Sequence, residues 1–300
     1  MWLNVERPLE LGPALLHGDH EHDDHGHGHD HDHHGPAPRA RGRHPHLRKP
    51  QASGDILVIR PVGGLSGDMF LAGLSRMAEV DQAELTRLAQ GIGLPAIEGS
   101  VSLEQRAVAE VNGWTCRVNL PHEHAHRSLS DIRAIISGSG LPERAAGLAE
   151  ATFSLLAAAE GRVHGRPAES VTFHEVGALD SILDICLAAM LFTRLSPAAL
   201  VCGPLPLCDG TIHCSHGLLP TPAPAVLELL ADVPVRGIPS QGETVTPTAI
   251  ALLKGFGAQF GDWPEMTIRR QALVYGTREL PGVPNGAIFA WGQARVMSRI

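Results

Sequence analysis

The stretch of sequence that decides the fold is DILVIRPVGGLSGDMFLAGLSRM, residues 55–77. Its β-branched run at 56–59 predicts a strand, and the apolar periodicity of 69–77 predicts a helix. The glycine-rich turn between them would present backbone N–H groups at the start of that helix, where an anion such as phosphate can bind. The turn matches neither a Walker loop nor a dinucleotide fingerprint. The candidate cofactor-binding residues of this turn are Ser66, Gly67 and Asp68.

The rest of the chain mixes helices and strands without regular β-α alternation. Asp81 can cap the second helix, and Asn112-Gly113 is a hairpin turn signal between two alternating stretches. We therefore predict an α+β fold, with α/β as the alternative, in one large domain that covers residues 54–295. The predicted helices lie at 81–90, 128–136, 141–164, 180–195, 222–231 and 247–256, and the predicted strands at 97–108, 114–120, 171–173, 199–203, 267–274 and 287–291.

Composition and charge exclude several classes of protein. The formal net charge is −8 and the folded part has no excess of basic residues, so we expect no binding of nucleic acid. The five cysteines are odd in number and form no C-x-x-C pair, which argues against a disulfide framework or a zinc ribbon. The longest apolar stretch, 185–192, is too short to cross a bilayer, and the N-terminus does not resemble a signal peptide. We therefore expect a cytoplasmic protein with no membrane association.

Residues 1–53 form a His-rich extension, which we expect to be disordered because its block at 17–50 has nothing that can pack a core. That block contains 11 of the 18 histidines, and nine of them fall within a tract at 17–34 that also has six carboxylates. Neutral imidazoles bind borderline metals such as Ni, Zn, Cu and Co. We therefore predict that the tract captures or stores metal reversibly; the alternative is a solvated tail without function.

The segment TFHEVGALDSILD, residues 172–184, is the densest in reactive side chains of the folded part. His174 and Glu175 precede a glycine that permits a tight turn, and Asp180 and Asp184 are four residues apart, on one face of a predicted helix. Asp180 would also lie at the N-terminus of that helix, where capping is the ordinary role. An acid inside such an apolar helix, as at Asp184, is destabilising unless it is paired or bound to a metal. The segment is thus a candidate site, with a cap and an ion pair as the alternative.

Two further stretches carry possible metal ligands. IHCSHG, residues 212–217, places His213 and His216 three apart with a cysteine between them, a donor set that suits a borderline metal. If 211–214 is a strand, the two imidazoles point in different directions, and one can be an ordinary core histidine. In HEHAH an extended backbone would align three rings, although a polar loop is the simpler interpretation; these residues are His122, His124 and His126.

One more stretch, QGETVTPT at 241–248, supplies hydroxyl groups before a predicted helix. Thr244 and Thr246 are therefore candidates for holding a phosphate, and helix capping is the alternative.

A series of longer motifs runs along the folded part. They are SGDMF (66–70), SLSDI (128–132), VHG (163–165), FHEVGALDSILDI (173–185), PLPLCDG (204–210), HGLLPTPAPAVLELL (216–230), GETVTPT (242–248) and YGTR (275–278). In this order they resemble the LarC family, the nickel-insertion proteins of nickel-pincer cofactor biosynthesis. The resemblance spans roughly residues 55–290.

The resemblance implies a nickel chelatase, or cyclometallase, of the lyase class. Its substrate would be pyridinium-3,5-bisthiocarboxylic acid mononucleotide, a dithio derivative of nicotinate mononucleotide whose two thiocarboxylates take up Ni(II). CTP would be consumed, and Mn(II) or Mg(II) would assist. The product would be the cofactor of lactate racemase-type enzymes, so an apo enzyme of that type is the expected client. We also expect a homo-oligomer.

Roles for the candidate residues follow from this resemblance together with donor chemistry. Imidazole and carboxylate donors bind nickel without trapping it, and a base must remove a proton from the substrate ring. The substrate's phosphate needs a cradle. The expected metal ligands are His174, His213, His216, His122, His124 and His126; the expected catalytic acids are Glu175, Asp180 and Asp184; the expected phosphate cradle is Ser66, Gly67 and Asp68, or Thr244 and Thr246.

The chain departs from the family's pattern at several places, and two of these departures bear on its function. RPVG at 60–63 stands where family members usually have an acidic stretch with Cys and Ser. The family's C-terminal region, which is associated with CTP binding, has no counterpart in these 300 residues, so we expect a separate C-terminal CTP-binding subunit. These departures favour, as the alternative function, a non-enzymatic nickel storage protein or metallochaperone. A metal-dependent hydrolase is a third class, although no hydrolase motif supports it.

Overall fold

The computed structural model describes residues 54–94, 100–120, 126–173, 176–214 and 217–295, all within the unit Leu47–Ile300. The expected His-rich extension lies outside these ranges. The strands are β1 (Asp55–Pro61), β2 (Val101–Val108), β3 (Val111–Val118), β4 (Arg127–Ser128), β5 (Thr172–Phe173), β6 (Ala199–Cys202), β7 (Leu205–Leu207), β8 (Thr211–Cys214), β9 (Gly217–Pro220), β10 (Val235–Gly237), β11 (Gln259–Phe260), β12 (Met266–Tyr275) and β13 (Gly286–Ala294). The α-helices are α1 (Gly67–Met77), α2 (Gln82–Ile92), α3 (Leu129–Ser137), α4 (Glu143–His164), α5 (Leu179–Leu195), α6 (Pro224–Leu229) and α7 (Pro247–Gly255).

A seven-stranded sheet forms the centre of this unit, in the order β11-β6-β1-β13-β12-β3-β2. The sheet is mixed, because β1 runs parallel to β6 and antiparallel to β13. Three two-stranded sheets accompany it: β10 with β7, β4 with β5, and β8 with β9. Helices and strands do not alternate regularly along the chain, so the predicted α+β class is confirmed.

The main hydrophobic core lies between one face of the sheet and the helices. Leu57 and Ile59 of β1 belong to it, whereas Ile56 and Val58, which point the other way along the strand, belong to a small cluster on the opposite face. Helix α5 contacts α1, α4 and α7, which explains why its sequence is apolar on more than one face. In the described ranges, no helix combines the length and the apolar character needed to cross a membrane.

Local capping signals set the ends of several helices. The Asp81 carboxylate accepts a backbone N–H at 2.8 Å and caps α2, as predicted. Ser128 caps α3, and Asp131 completes a reciprocal capping box. The last residue of α2 is Ile92, and Gly93 caps its C-terminus with a φ of 76°, in the left-handed region. This glycine lies two residues beyond the predicted stop at Gly91.

The hairpin between β2 and β3 turns at Ala109 and Glu110, so the predicted turn at Asn112-Gly113 is wrong. Both turn residues have positive φ, 47° and 64°, as a two-residue type I′ turn requires. Gly113 lies within β3, where a Cβ would be 2.6 Å from the Tyr275 ring and 2.8 Å from the Leu273 carbonyl oxygen. The glycine is therefore required by the close approach of β12 and not by the turn.

We predict that Gly113→Ala lowers the free energy of unfolding by about 1–3 kcal/mol, because the added methyl group overlaps the Leu273 carbonyl and the Tyr275 ring. Gly147→Ala is the matched control. Gly147 is in α4 with no atom within 4 Å of an added Cβ, so alanine should stabilise the protein by about 0.5–1 kcal/mol through helix propensity. Urea denaturation followed by circular dichroism measures both changes. If Gly113→Ala does not lower the free energy of unfolding relative to Gly147→Ala, this account of β3 is contradicted.

Candidate functional site

A cavity of about 610 Å³ opens where the first turns of three helices meet. Gly67 and Asp68 belong to α1, Asp180 to α5, and Thr246 and Thr248 to the start of α7. The start of a helix carries a partial positive charge, so this arrangement attracts anionic groups, including carboxylates of the protein itself. Strand β3 and the residue after it also contribute to the wall, with Cys116, Arg117 and Asn119. The connection between β12 and β13 adds Thr277, Arg278 and Asn285.

The two loops predicted to hold a phosphate are joined to each other beside this cavity. The Leu65 N–H donates to the Thr244 carbonyl at 2.9 Å, and the Thr246 N–H donates to the Leu65 carbonyl at 3.1 Å. The structure thereby brings seven of the predicted site residues to one wall: Ser66, Gly67, Asp68, Asp180, Asp184, Thr244 and Thr246.

The two threonine hydroxyls already have structural partners. Thr244 is almost fully buried, and its hydroxyl donates to the Pro206 carbonyl at 2.6 Å. Thr246 is the N-cap of α7, where its Oγ1 accepts the Ala249 N–H at 3.3 Å. Because a capping hydroxyl accepts through its oxygen and keeps its own proton, Thr246 can still donate to a ligand, whereas the proton of Thr244 is already used.

Asp68 occupies the helix start that the sequence assigned to a phosphate. Its Oδ1 accepts the Met69 N–H at 2.9 Å and the Ser66 hydroxyl, and its Oδ2 accepts the Thr277 N–H at 3.1 Å. A phosphate placed directly at this terminus would meet a carboxylate that already uses these donors. The geometry therefore disfavours a bare phosphate here, unless a cation lies between the two anions.

Asp184 reaches the wall of the cavity from the second turn of α5. Its Oδ1 is shielded from solvent and has no hydrogen-bond partner, and its Oδ2 lies 2.8 Å from the position that a Cβ on Gly67 would take. Burial raises the pKa of Asp184 well above the usual value of 3.8, and the neighbouring Asp68 and Asp180 raise it further. The carboxyl group therefore keeps its proton to a higher pH than an ordinary aspartate does.

Asp180 does not cap α5, so the capping alternative for this residue is wrong. The helix begins at Leu179, and Ala178 holds the N-cap position. The Asp180 side chain instead accepts the N–H of the next residue, Ser181, at 2.7 Å within the first turn. It faces the same cavity as the other two acids.

Cys116 of β3 lines this cavity too, and the sequence analysis gave it no role. Burial raises the pKa of its thiol well above 9.0, and the carboxylates of Asp184 and Asp68 raise it further. The thiol therefore stays protonated at neutral pH, so it is neither an activated nucleophile nor a ready thiolate ligand.

A second cavity, of about 500 Å³, adjoins the first and shares part of its wall, including Glu243 and Arg278, whose side chains are 2.9 Å apart. Its own wall carries His164, His213 and Cys214. We call the two cavities together the cleft. Its carboxylate end is defined by Asp68, Asp180 and Asp184, and its imidazole end by His164 and His213. His164, whose Nε2 lies 3.4 Å from Glu160 Oε2, was not predicted, although it belongs to the VHG motif.

The predicted metal ligands are only partly within the described residues. His213 lies on β8 and lines the imidazole end, whereas His126 is exposed before β4 and lines neither cavity. Phe173 and Val176, the described neighbours of His174 and Glu175 in the chain, both line the imidazole end. Within the ranges that the structure describes, no group of three or more His, Cys, Asp or Glu is arranged to hold a metal ion. The predicted residues outside these ranges are His122, His124, His174, Glu175 and His216.

Comparison with known families gives this cleft its context. The profile of the nickel insertion protein family matches residues 57–296. The chain belongs to this family. The resemblance to LarC proteins that the motifs indicated is thereby confirmed, and the matched range contains every lining residue of both cavities.

Relatives of the nickel insertion family cover about three quarters of the chain. One in Myxococcus xanthus is 40% identical over 231 residues, and one in Syntrophotalea carbinolica is 38% identical over 232, each covering 77% of this chain. A third, in Desulfitobacterium hafniense, is named pyridinium-3,5-bisthiocarboxylic acid mononucleotide nickel insertion protein and is 37% identical over 223 residues, 74% of this chain. The matches cover only 58%, 57% and 54% of these relatives' own lengths, respectively. No solved structure matches the chain.

We predict that Asp184→Asn raises the free energy of unfolding at neutral pH in metal-free buffer, because the parent must on folding either take up a proton or bury a charge beside two carboxylates, and the amide does neither. The pKa of Asp184 is higher in the folded state than in the unfolded state, so the parent should lose stability relative to the variant as pH rises above about 4. Each unit of pKa difference contributes about 1.4 kcal/mol. Urea denaturation between pH 4 and 8 with a chelator measures the difference, and a difference independent of pH would contradict the assigned environment.

Proposed function

We propose that this chain inserts Ni(II) into pyridinium-3,5-bisthiocarboxylic acid mononucleotide and that the reaction takes place in the cleft. The observation that carries the proposal is that carboxylate and imidazole donors line two adjoining cavities with a shared wall, in a member of the nickel insertion family. The name of the Desulfitobacterium hafniense relative supports the choice of substrate.

The dimensions and charges of the cleft suit a mononucleotide. Both cavities fall within the range of about 300–1,000 Å³ that is usual for small-molecule sites. The substrate's phosphate needs cationic and hydroxyl donors, and the cleft offers Arg117, Arg278 and the free proton of the Thr246 hydroxyl. Arg278 lies where the two cavities meet, so a phosphate held there leaves room for the ring and its thiocarboxylates on either side.

Nickel is a substrate in this reaction, and it must be released to two thiocarboxylates. Imidazole and carboxylate ligands suit a borderline metal but hold it less firmly than sulfur ligands do. We assign this transient binding to His213 together with His174, Glu175 and His216, with His122, His124 and His126 as an entry point. The choice of His174 and Glu175 is supported by their neighbours in the chain, since Phe173 and Val176 line the imidazole end.

Loss of the ring proton requires a base within reach of the substrate. Asp184 can serve as this base while no cation is bound to its carboxylate, because its pKa lies well above that of an ordinary aspartate. Asp180 and Glu175 are the other candidates. The further parts of the proposal rest on the family resemblance: lyase-type turnover with CTP, a separate C-terminal subunit that binds CTP, a homo-oligomeric assembly, and a lactate racemase-type client.

We predict that His174→Ala and Glu175→Gln abolish nickel insertion, because each removes a donor or base from the proposed site. The measurement is the ability of reaction mixtures, supplied with a C-terminal partner that makes the parent active, to activate apo lactate racemase. Glu169→Gln is the control, since Glu169 is exposed and lines neither cavity. Far-UV circular dichroism should be the same for all variants. Full activity of both site variants would remove these two residues from the proposal.

The His-rich tract supports a second function, nickel storage, because nine imidazoles and six carboxylates fall within residues 17–34. Many interchangeable donors close together in the sequence suit a reservoir better than a catalytic centre, which needs ligands held in one geometry. The two functions are compatible if the tract supplies nickel to the cleft.

We predict that deletion of residues 17–34 removes most low-affinity nickel binding and leaves the fold intact, because the tract offers donors but no core. Isothermal titration calorimetry compares the two chains. Metal loading of the tract should fall between about pH 7 and 5, as imidazoles protonate around a pKa of about 6.5. Equal nickel stoichiometry in both chains would contradict the storage function.

A further inference from the structure

One oxygen atom at the carboxylate end, Asp184 Oδ1, is buried and has no hydrogen-bond partner among the described residues. A buried acceptor without a partner is destabilising. An unpartnered carboxylate oxygen beside a cavity points to a ligand there with positive charge or donor groups.

The charges around this oxygen favour a cation. Asp68, Asp180 and Asp184 face the same cavity, and the first two accept backbone N–H groups at helix starts. Asp184 has no such donor at its Oδ1, which is shielded from solvent. A cation between Asp184 and Asp68 would remove the repulsion between the two carboxylates. In the hydrogen bonds and ion pairs of the described residues, neither carboxylate is paired with a basic side chain.

The donor set selects the class of cation. Among the described residues that line the carboxylate end, the available ligands are oxygens, because the Cys116 thiol stays protonated. Oxygen ligands suit hard ions such as Mg²⁺ and Mn²⁺. Mg²⁺ is usually held by one or two carboxylates, with water and substrate phosphate in the remaining positions. Two carboxylates without a third side chain are therefore sufficient, which agrees with the lack of a larger ligand group within the described residues.

We infer that Asp184 and Asp68 bind a hard divalent cation, Mg²⁺ or Mn²⁺, at the carboxylate end of the cleft, separate from the nickel ligands, and that this cation binds the phosphate group of the substrate. The first half stands on the geometry of the cleft. The second half rests on the proposed function, because it requires a mononucleotide. The cation would also separate the phosphate from the Asp68 carboxylate at the start of α1, where the two anions would otherwise repel each other.

Titration of the full chain with Mn²⁺, with the free ion followed by electron paramagnetic resonance, tests the site. Asp184→Asn should lose one Mn²⁺ site, with an affinity decrease of more than about tenfold. Asp262→Asn is the matched control: Asp262 is exposed and outside both cavities, and this variant keeps the same His-rich tract. Excess Mg²⁺ should displace Mn²⁺ from the site in the parent and the control. Asp68→Asn serves as a second variant, since its amide oxygen can still accept the Met69 N–H.

The outcomes separate this inference from the proposed function. Equal Mn²⁺ binding by the parent, Asp184→Asn and Asp68→Asn would overturn the site. Loss of the site in these variants supports it, whether or not the parent inserts nickel. Nicotinate mononucleotide, used as a phosphate-bearing probe, should tighten Mn²⁺ binding in the parent and not in Asp184→Asn. Unchanged Mn²⁺ affinity in the parent with this probe would overturn the phosphate-bridging half.

Discussion

The close approach of α5 to the first turn of α1 determines where the cleft forms. Gly67 permits it, because a Cβ at this position would lie 2.8 Å from Asp184 Oδ2 and 3.4 Å from a methyl group of Thr248. The same contact places a carboxylate where the starts of α1, α5 and α7 meet, and their partial positive charges offset part of the charge of the acids. A side chain at position 67 would therefore displace the Asp184 carboxylate from its present position.

The two ends of the cleft differ in the metals that they favour. The carboxylate end offers only oxygen ligands, because its thiol stays protonated, whereas the imidazole end offers nitrogen from His164 and His213. If nickel insertion takes place here as proposed, this separation keeps a hard ion near the substrate's phosphate from competing for the nickel ligands. The pair Arg278 and Glu243 stands at the boundary, where both cavities share a wall.

Local signals predicted most elements, and long-range contacts account for what was missed. The strand, glycine-rich loop and helix of 55–77 and the cap at Asp81 depend on neighbouring residues, so the sequence revealed them. The role of Gly113 depends on Tyr275, a residue in a distant part of the chain, and a local turn signal could not show it. The same holds for Cys116, which joins the cleft only because β3 packs beside α1. Arg278 was visible within the YGTR motif, but its place between two cavities is a property of the fold.

Binding of the mononucleotide in the cleft is tested most directly by hydrogen–deuterium exchange of the full chain, with and without pyridinium-3,5-bisthiocarboxylic acid mononucleotide and Mn²⁺. Backbone N–H groups in the first turn of a helix have no partner within the helix, so a bound ligand slows their exchange strongly. We predict slower exchange at the starts of α1, α5 and α7 and around Thr277 and Arg278. Unchanged exchange at these four places, with protection confined to the separate cavity of about 820 Å³ beside 237–241, would contradict the account.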